Sequence, residues 1–442
     1  MNPAVHQPGI ALADIRLPPR RTAWVVFGLL FALMVVDYVD RQVVVSMFPH
    51  LKAQWNLSDS QLGGLVSIVS ITVAIGTVPL SLLADRWSRV KSIFLMALLW
   101  SAATIACAFA GSYAQLMAAR SLVGLGEAAY GSAGAALLAS IFPSRMRSTV
   151  LGAFLAAGLV GSVLGVVLGG VIAERWGWRA GFGAVGVPGL FLALLFLLLV
   201  RDYRTVALPG ADAQSQRLPM ASAVAAALLK PRTALVACIG AGLQLVMVST
   251  VYAWLPSFFN RYYGLAPDQA GLKTGVVVLL SGLGAVVWSV IADRASSRYA
   301  LARLHVCAAA AVLTALFMFI AFAWLAPGPA QYAAILAGAA MMTGTIGPVA
   351  AVVVDVVHPG VRATAAAVLS LMQNLFGLAA GPFIAGHLSD AYGLPFALSV
   401  VPVSCLFACG VFLVAARTYE HDLRNAEATD IAIDHELKTQ AA

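Results

Sequence analysis

Three ionisable side chains interrupt an apolar run near the N-terminus, in the stretch MVVDYVDRQVVV at residues 34–45. Asp37, Asp40 and Arg41 are spaced i, i+3 and i+4, so a helix would place them on one face. A charged group at the middle of a bilayer costs about 2.5–3.5 kcal/mol on insertion scales. Such a face is tolerated where it lines a hydrated cavity or meets opposite charges, and this pattern predicts ion or proton chemistry. The alternative is that the three groups lie near the end of the helix and reach the membrane interface.

A second stretch, ARSLVGLGEAAYGS at residues 119–132, supplies candidate partners for these charges. Arg120 and Glu127 lie on one helical stripe together with two glycines, and small residues let a neighbouring helix or a substrate approach closely. Arg120 could offset the charge of Asp40 or of Glu127. Glu127 could in the same way offset Arg41.

A carboxyl group in this setting is subject to two opposed influences. Burial favours the neutral acid, whereas a nearby guanidinium favours the carboxylate. An arginine that moves between two carboxylates would therefore switch their proton affinity. We predict proton coupling by Asp40, Glu127 and Asp37, and binding of a substrate anion by Arg41 and Arg120. The alternative is a static buried ion-pair network that only fixes helix packing.

The second half of the chain carries almost no charge within its apolar runs and offers neutral polar and aromatic residues instead. A charged first half and a neutral, partly aromatic second half would suit an amphiphilic or organic anion. The predicted substrate-binding residues beyond the two arginines are Tyr38, Tyr130, Gln244, Trp254, Gln373 and Asn374. Other polar residues in the second half are Ser249, Thr250, Tyr252, Ser281, Thr343, Thr345 and Ser370.

The composition indicates which elements must position these groups. The chain has 442 residues, of which 61% are hydrophobic and only 10% are charged. A bilayer core about 30 Å thick needs roughly 20 apolar residues per helix, and the sequence supplies twelve such runs. We therefore predict an all-α membrane protein with twelve transmembrane helices in two six-helix pseudo-symmetric bundles. The predicted spans are 22–48, 59–84, 92–110, 113–141, 147–173, 181–200, 233–262, 267–292, 302–326, 330–355, 361–387 and 394–416.

Charge distribution predicts the topology and the domain boundaries. Most Lys and Arg residues fall in the two tails and in the even-numbered turns, so both termini should be cytoplasmic, in a bacterial inner membrane. The net charge of +8 is explained by this bias, and we expect no nucleic-acid partner. The predicted divisions are an N-terminal tail at 1–21, a first bundle at 22–200, a linker at 201–232, a second bundle at 233–417 and a C-terminal tail at 418–442.

Enzyme and metal chemistry find little support in the sequence. All five cysteines lie in hydrophobic runs, and the seven histidines include no His-x-x-x-His pair. The spans contain no nucleophile–base pair. We expect a non-enzymatic protein without a metal or cofactor, driven by the proton gradient, and monomeric in the lipid bilayer.

Two short motifs recur in the two halves at an offset of about 210 residues. ADRWSR at 84–89 corresponds to ADRASSR at 292–298, and FPSRMRST at 142–149 corresponds to HPGVRAT at 358–364. Internal duplication of six helices is typical of a transporter whose site lies between the halves.

These features resemble the major facilitator superfamily over nearly the whole chain. The stretch SLLADRWSRVK matches the family pattern G-x-L-A-D-R-x-G-R-[RK] at Leu83, Ala84, Asp85, Arg86 and Arg89. It departs from the pattern at Ser81, Ser88 and Val90, although Lys91 follows directly.

DYVDRQVV, RSLVGLGEAAYGS and SRMRSTVLG together resemble the spinster subgroup. This resemblance implies a proton-linked rocker-switch transporter, with Asp40, Arg41 and Glu127 in the coupling and substrate region. Animal spinster relatives move lysophospholipids and sphingolipid phosphates. Sugar-acid or aromatic-acid symport and proton-driven drug export stay open as alternatives, as does a non-transporting receptor.

The loop after the second span also predicts a conformational latch. Asp85 ends that span where span eleven begins, and a helix N-terminus carries about half a positive charge. Asp85 could dock there, with Arg86 and Arg89 beside it. Asp293 and Arg294 would form the weaker counterpart near span five. The alternative is that these are solvated loop charges.

Overall fold

The computed structural model describes residues 19–200, 231–357 and 362–441. Within these ranges, a few side chains lie outside the description: those of Leu82, Asp85, Arg86, Ser144, Ser148, Ala363 and residues 427–441.

The described part of the chain contains twelve helices that are long and apolar enough to cross a membrane, which confirms the predicted number. The first six are Arg20–Ser46, Asp59–Ser81, Arg89–Ala108, Tyr113–Ile141, Arg145–Trp176 and Trp178–Leu199. The second six are Arg232–Tyr263, Pro267–Ser296, Ala302–Trp324, Pro329–Asp355, Thr364–Tyr392 and Leu394–Ala426. We refer to them below as spans 1 to 12.

Several spans contain breaks that sequence periodicity did not indicate. Span 4 consists of helices Tyr113–Glu127 and Tyr130–Ile141, and span 10 of Pro329–Met342 and Ile346–Asp355. Span 9 ends in a π-helical turn, Ile320–Trp324. Span 11 is interrupted by a π-helix, Gln373–Ala379, between Arg362–Met372 and Ala380–Tyr392.

The helices also extend beyond the predicted spans. The helix of span 2 continues to Arg86, and a short helix, Phe48–Trp55, precedes it. The last helix runs from Val403 to Ala441, well past the predicted end at 416. The Asp422 carboxylate accepts hydrogen bonds from the backbone N–H of Thr233 (2.9 Å) and from its hydroxyl (2.7 Å), which ties this extension to the start of span 7.

Two opposite faces of the helical assembly are distinguished below. The terminal face holds Arg20, at the start of span 1, and Arg232, at the start of span 7. The distal face holds Asp59, at the start of span 2, together with Tyr263 and Tyr392, at the ends of spans 7 and 11.

The buried apolar side chains show that the bundles join at the distal side. One cluster draws on both bundles, and in it the Phe48 ring lies 5.3 Å from that of Trp254. The two other clusters, towards the terminal face, each belong to a single bundle: one lies within residues 23–200 and one within 234–419. The bundles therefore pack together near the distal face and separate towards the terminal face.

Glycine permits the close contact between the bundles at the distal side. A Cβ atom at Gly63 of span 2 would overlap the carbonyl oxygen of Pro382 in span 11, and one at Gly170 of span 5 would overlap that of Pro267 at the start of span 8. A hydrogen bond from the Ser67 hydroxyl to the Ala379 carbonyl (2.6 Å) also joins spans 2 and 11. Helix pairs that meet backbone to backbone in this way are typical of membrane bundles.

Candidate functional site

A cavity of about 500 Å³ lies between the two bundles. Its polar lining from the first bundle includes Asp37, Tyr38, Arg41, Gln42, Arg120 and Glu127. Its polar lining from the second bundle includes Ser249, Tyr252, Thr343, Ser370, Gln373 and Asn374. The charged side chains of the lining thus all come from the first bundle, and the polar lining from the second bundle is neutral, as the sequence predicted.

Arg41 of span 1 forms an ion pair with span 4 at the cavity wall. Its Nη2 lies 3.0 Å from Oε2 of Glu127 in span 4, and its Nε lies 3.8 Å from Oδ2 of Asp37, one turn earlier in span 1. The Glu127 side chain is fully buried, whereas that of Arg41 is 20% exposed. The guanidinium carbon also lies 5.4 Å from the centre of the Tyr38 ring. Arg41 is therefore paired with carboxylates and still reachable from the cavity.

Arg120 and Asp40 form a second, more enclosed pair. Nη1 of Arg120 lies 3.1 Å from Oδ2 of Asp40, and the two side chains are 1% and 0% exposed. The guanidinium also donates to the backbone carbonyls of Asp40 (3.4 Å) and Leu65 (3.5 Å). Of the alternatives that the sequence left open, the structure pairs Arg120 with Asp40 and Arg41 with Glu127.

The formal charges of Asp37, Asp40, Arg41, Arg120 and Glu127 do not sum to zero. Three carboxylates against two guanidiniums leave a formal charge of −1 when all are ionised. Asp37 and Glu127 both lie beside the guanidinium of Arg41. Asp37 Oδ1 and Glu127 Oε1 are nevertheless buried without a donor among the described residues. One proton on either of these two carboxyl groups would bring the formal charge of the cluster to zero.

Gln373 and Asn374 lie at the cavity, at the start of the π-helix in span 11. The Asn374 side chain donates to the Ser370 carbonyl, 2.9 Å away. Single turns of π-helix occur frequently at functional sites, since they shift the side chains that follow relative to those that precede. The sequence predicted a binding role for these two residues, but it did not predict the π-helix in which they lie.

Three residues predicted to bind substrate lie away from the cavity and have structural partners instead. The Tyr130 hydroxyl donates to the Leu30 carbonyl (2.7 Å), within the first bundle. Gln244 Nε2 donates to the Met342 carbonyl (3.0 Å), and Trp254 Nε1 donates to that of Pro382 (3.0 Å), within the second. All three are buried, and in this conformation they hold helices together.

The cavity also contains polar residues that sequence reasoning did not assign to it. Gln42 could have been recognised, because it lies one helical turn after Tyr38. Tyr252 and Thr343 converge on Ser281: the hydroxyl groups of Tyr252 and Ser281 are in hydrogen-bond contact, and the Thr343 hydroxyl donates to the Ser281 carbonyl (2.5 Å). This cluster joins spans 7, 8 and 10, so no local sequence signal could reveal it.

The predicted latch residues are placed only in part. The side chains of Asp85 and Arg86 lie outside the described residues. Arg89 begins the helix of span 3, and Arg294 is exposed. Asp293 pairs with Arg303 of span 9 (3.1 Å), inside its own bundle. Arg303 in turn binds Asp355 (2.5 Å), so this cluster ties spans 8, 9 and 10 together.

Comparison with known proteins identifies the family. The profile of the Major Facilitator Superfamily matches residues 30–382. Spinster homolog 1 from Xenopus laevis is 25% identical over 90% of this chain and 81% of its own length. The sphingosine-1-phosphate transporter SPNS2 from Danio rerio is 25% identical over 86% and 79%. A probable L-galactonate transporter from Escherichia coli is 24% identical over 64% and 66%.

A solved structure has the same fold. A bacterial homologue of the human lysosomal transporter spinster, in an inward-facing and unoccupied conformation, superposes with a TM-score of 0.81 at 20% identity. The match covers 92% of this chain and 99% of the other. The family profile shows that the chain belongs to the Major Facilitator Superfamily, and its twelve spans and the cavity between two bundles agree with this. It is a multi-pass membrane transporter, not an enzyme, and it is similar to spinster proteins in sequence and in fold.

Proposed function

We propose that this protein couples protons to the movement of an amphiphilic or organic anion across the membrane by alternating access. One observation carries the proposal: Arg41 reaches the cavity while it is shared between the carboxylates of Asp37 and Glu127. A substrate anion in the cavity and the carboxylates of Asp37 and Glu127 can therefore compete for the guanidinium of Arg41.

This competition predicts the sign of the coupling. An anion that binds Arg41 weakens the hold of the guanidinium on Glu127. The buried carboxylate then loses its counter-charge, and its affinity for a proton rises. Proton and anion would thus bind together, and release of either would favour release of the other, because binding linkage is reciprocal.

The apolar part of the cavity supports an amphiphile. Val66, Val69 and Val73 of span 2 face the cavity, as do Leu245 and Val248 of span 7. An acyl chain could occupy this part while its anionic group meets Arg41. A relative named as a sphingosine-1-phosphate transporter carries a substrate of this kind. We therefore favour a lysolipid-like anion.

A sugar acid or related organic acid is the second candidate. The second-bundle wall offers the polar side chains of Tyr252, Thr343, Gln373 and Asn374, which suit the hydroxyl groups of a polyol. The probable L-galactonate transporter among the relatives supports this alternative. Both candidates place an anion on Arg41.

The proposal is tested by transport under an imposed pH gradient. Purified protein in proteoliposomes should accumulate a labelled anionic lysolipid or sugar acid several-fold over protein-free vesicles when the gradient is present. A protonophore should remove this accumulation. Equal solute movement with and without the gradient would contradict proton coupling. Movement of neither solute class, with the protein intact, would favour the receptor alternative.

Substitution of Arg41 tests its role in anion binding. Arg41→Gln should weaken binding of the anion by about 10- to 100-fold, since a charge-assisted contact contributes about 1.5–3 kcal/mol. The measurement is ligand-induced thermal stabilisation of the purified protein, titrated with lysolipids and with sugar acids. Arg175→Gln removes an exposed arginine outside the cavity and is the matched control. An unchanged dissociation constant in Arg41→Gln would remove Arg41 from the binding site.

The membrane orientation is part of the same proposal. Arg145, Arg147, Arg298 and Arg294 are exposed at the terminal face, and the bias of basic residues towards this face supports a cytoplasmic location for it. We propose a monomer in a bacterial inner membrane, with its cavity approached from the cytoplasm in this conformation.

A further inference from the structure

Asp59 connects the two bundles at the distal face. It is the first helical residue of span 2, and its carboxylate is almost completely buried. Arg261, at the end of span 7, binds it through two contacts, Nη1 to Oδ2 (2.6 Å) and Nη2 to Oδ1 (2.8 Å). Ser389 of span 11 donates its hydroxyl to Oδ2 (2.5 Å). Both partners belong to the second bundle.

Asp390 makes a second connection at the same place. Here the carboxylate belongs to the second bundle and its partners to the first. Its Oδ1 accepts from the backbone N–H of Asp59 (2.6 Å), and its Oδ2 accepts from that of Ser60 (2.8 Å). The first N–H groups of a helix have no partner within the helix and carry partial positive charge. A carboxylate from span 11 therefore caps span 2, although the two helices lie in different bundles.

The charges of this cluster are balanced within the cluster itself. Lys52 Nζ lies 2.5 Å from Oδ1 of Asp59, so Lys52 and Arg261 stand against Asp59 and Asp390. The Lys52 side chain is 40% exposed and belongs to the first bundle, so its pairing does not hold the bundles together. The contacts that cross between the bundles are those of Arg261 and Ser389 with Asp59, and of Asp390 with the start of span 2.

From these contacts we infer a distal latch, formed by Asp59, Arg261, Ser389 and Asp390, that holds the distal face closed while the bundles are apart at the terminal face. To open the distal face, span 2 must leave spans 7 and 11. That movement would expose Asp59 and remove the acceptor from the backbone N–H groups of Asp59 and Ser60. The latch therefore stabilises the present conformation over the distal-open one.

The latch rests on the transporter fold alone and requires neither the proposed substrate nor proton coupling. Its test is a distance measurement on purified protein without ligand or gradient. Pairs of spin labels at Ala114 and Ala326 would report on the distal face, and pairs at Thr149 and Ala300 on the terminal face, in a background without the native cysteines. All four positions are exposed, and none belongs to the latch.

Asp59→Asn and Asp390→Ala should each raise the population of distal-open conformers by about tenfold, which corresponds to about 1.4 kcal/mol. Distal distances should lengthen and terminal distances shorten together. Arg261→Gln should have a similar effect, and the double variant Asp59→Asn/Arg261→Gln should add little to either single change, since both remove one interaction. Arg261 is partly exposed, so we expect Arg261→Gln to fold and to test the latch even if Asp59→Asn folds poorly.

Glu174→Gln removes an exposed negative charge from the same face and is the control that should leave the distances unchanged. Distance distributions in Asp59→Asn, Asp390→Ala and Arg261→Gln that match those of the control would overturn the latch. A failure to transport under a pH gradient would not affect these distances, so the two proposals can fail separately.

Discussion

Glu127→Gln should abolish proton-driven transport, with a loss of at least about 100-fold in gradient-dependent uptake, which corresponds to about 2.7 kcal/mol of lost coupling. Glutamine keeps the size of the side chain, but it can neither pair with Arg41 as an anion nor take up a proton. Arg41 then keeps only Asp37, at 3.8 Å, and is free to hold a substrate anion whatever the pH. The measurement is uptake into proteoliposomes with and without an imposed pH gradient.

Anion binding in this variant should persist and lose its dependence on pH. This result would distinguish a loss of proton coupling from a loss of folded protein. Exchange of solute down its own gradient is expected to survive for the same reason. The matched control is Glu174→Gln, a glutamate exposed outside the cavity, which should transport normally. Full gradient-driven accumulation by Glu127→Gln would exclude Glu127 as a proton-coupling residue.

Asp40→Asn should reduce stability far more than a typical single substitution. Asp40 and Arg120 are almost completely buried, and removal of one partner leaves an uncompensated buried charge. Breaking such a pair costs about 3–5 kcal/mol. Thermal unfolding in detergent, compared at matched conditions, should show a large loss of stability. The double variant Asp40→Asn/Arg120→Gln should recover much of it, because neither member of this pair is then left charged without the other.

The double variant also separates the two roles considered for Asp40. If the recovered protein still fails to accumulate solute under a gradient, the Asp40–Arg120 pair takes part in transport as well as in packing. If transport returns with stability, the pair is a structural one, and coupling depends on Asp37 and Glu127. Asp293→Asn is the control: it alters an exposed pair with Arg303, for which surface ion pairs predict a change of about 1 kcal/mol or less. An equally stable Asp40→Asn would show that Arg120 does not depend on this carboxylate.

Much of the site followed from residue types and their spacing. The charges of span 1 and span 4 stood out because lipid excludes them, and the cavity contains Asp37, Arg41, Arg120 and Glu127 as predicted. Gln373 and Asn374 also lie where the sequence placed them. Tyr130, Gln244 and Trp254 were assigned by the same reasoning and instead bind backbone carbonyls within their own bundles.

The difference between these three residues and the others arises because the rotation of each helix about its axis decides which side chains face the cavity. A charged side chain inside a membrane protein needs water or an opposite charge beside it, so its chemistry restricts where it can lie. A neutral polar or aromatic side chain is satisfied equally by a cavity or by a single buried hydrogen bond, and nothing in a uniformly apolar sequence states which way it points.

The sequence by itself determined the twelve spans, the two-bundle organisation and the identity of the buried charges, because hydrophobicity and helical periodicity act along the chain and are read locally. Only the tertiary structure decided that Arg41 pairs with Glu127 and Arg120 with Asp40, that span 11 presents its amides from a π-helix, and that Asp59 and Asp390 join the bundles at the distal face. These contacts join residues as many as 331 positions apart, and their geometry depends on how helices rotate and tilt against one another.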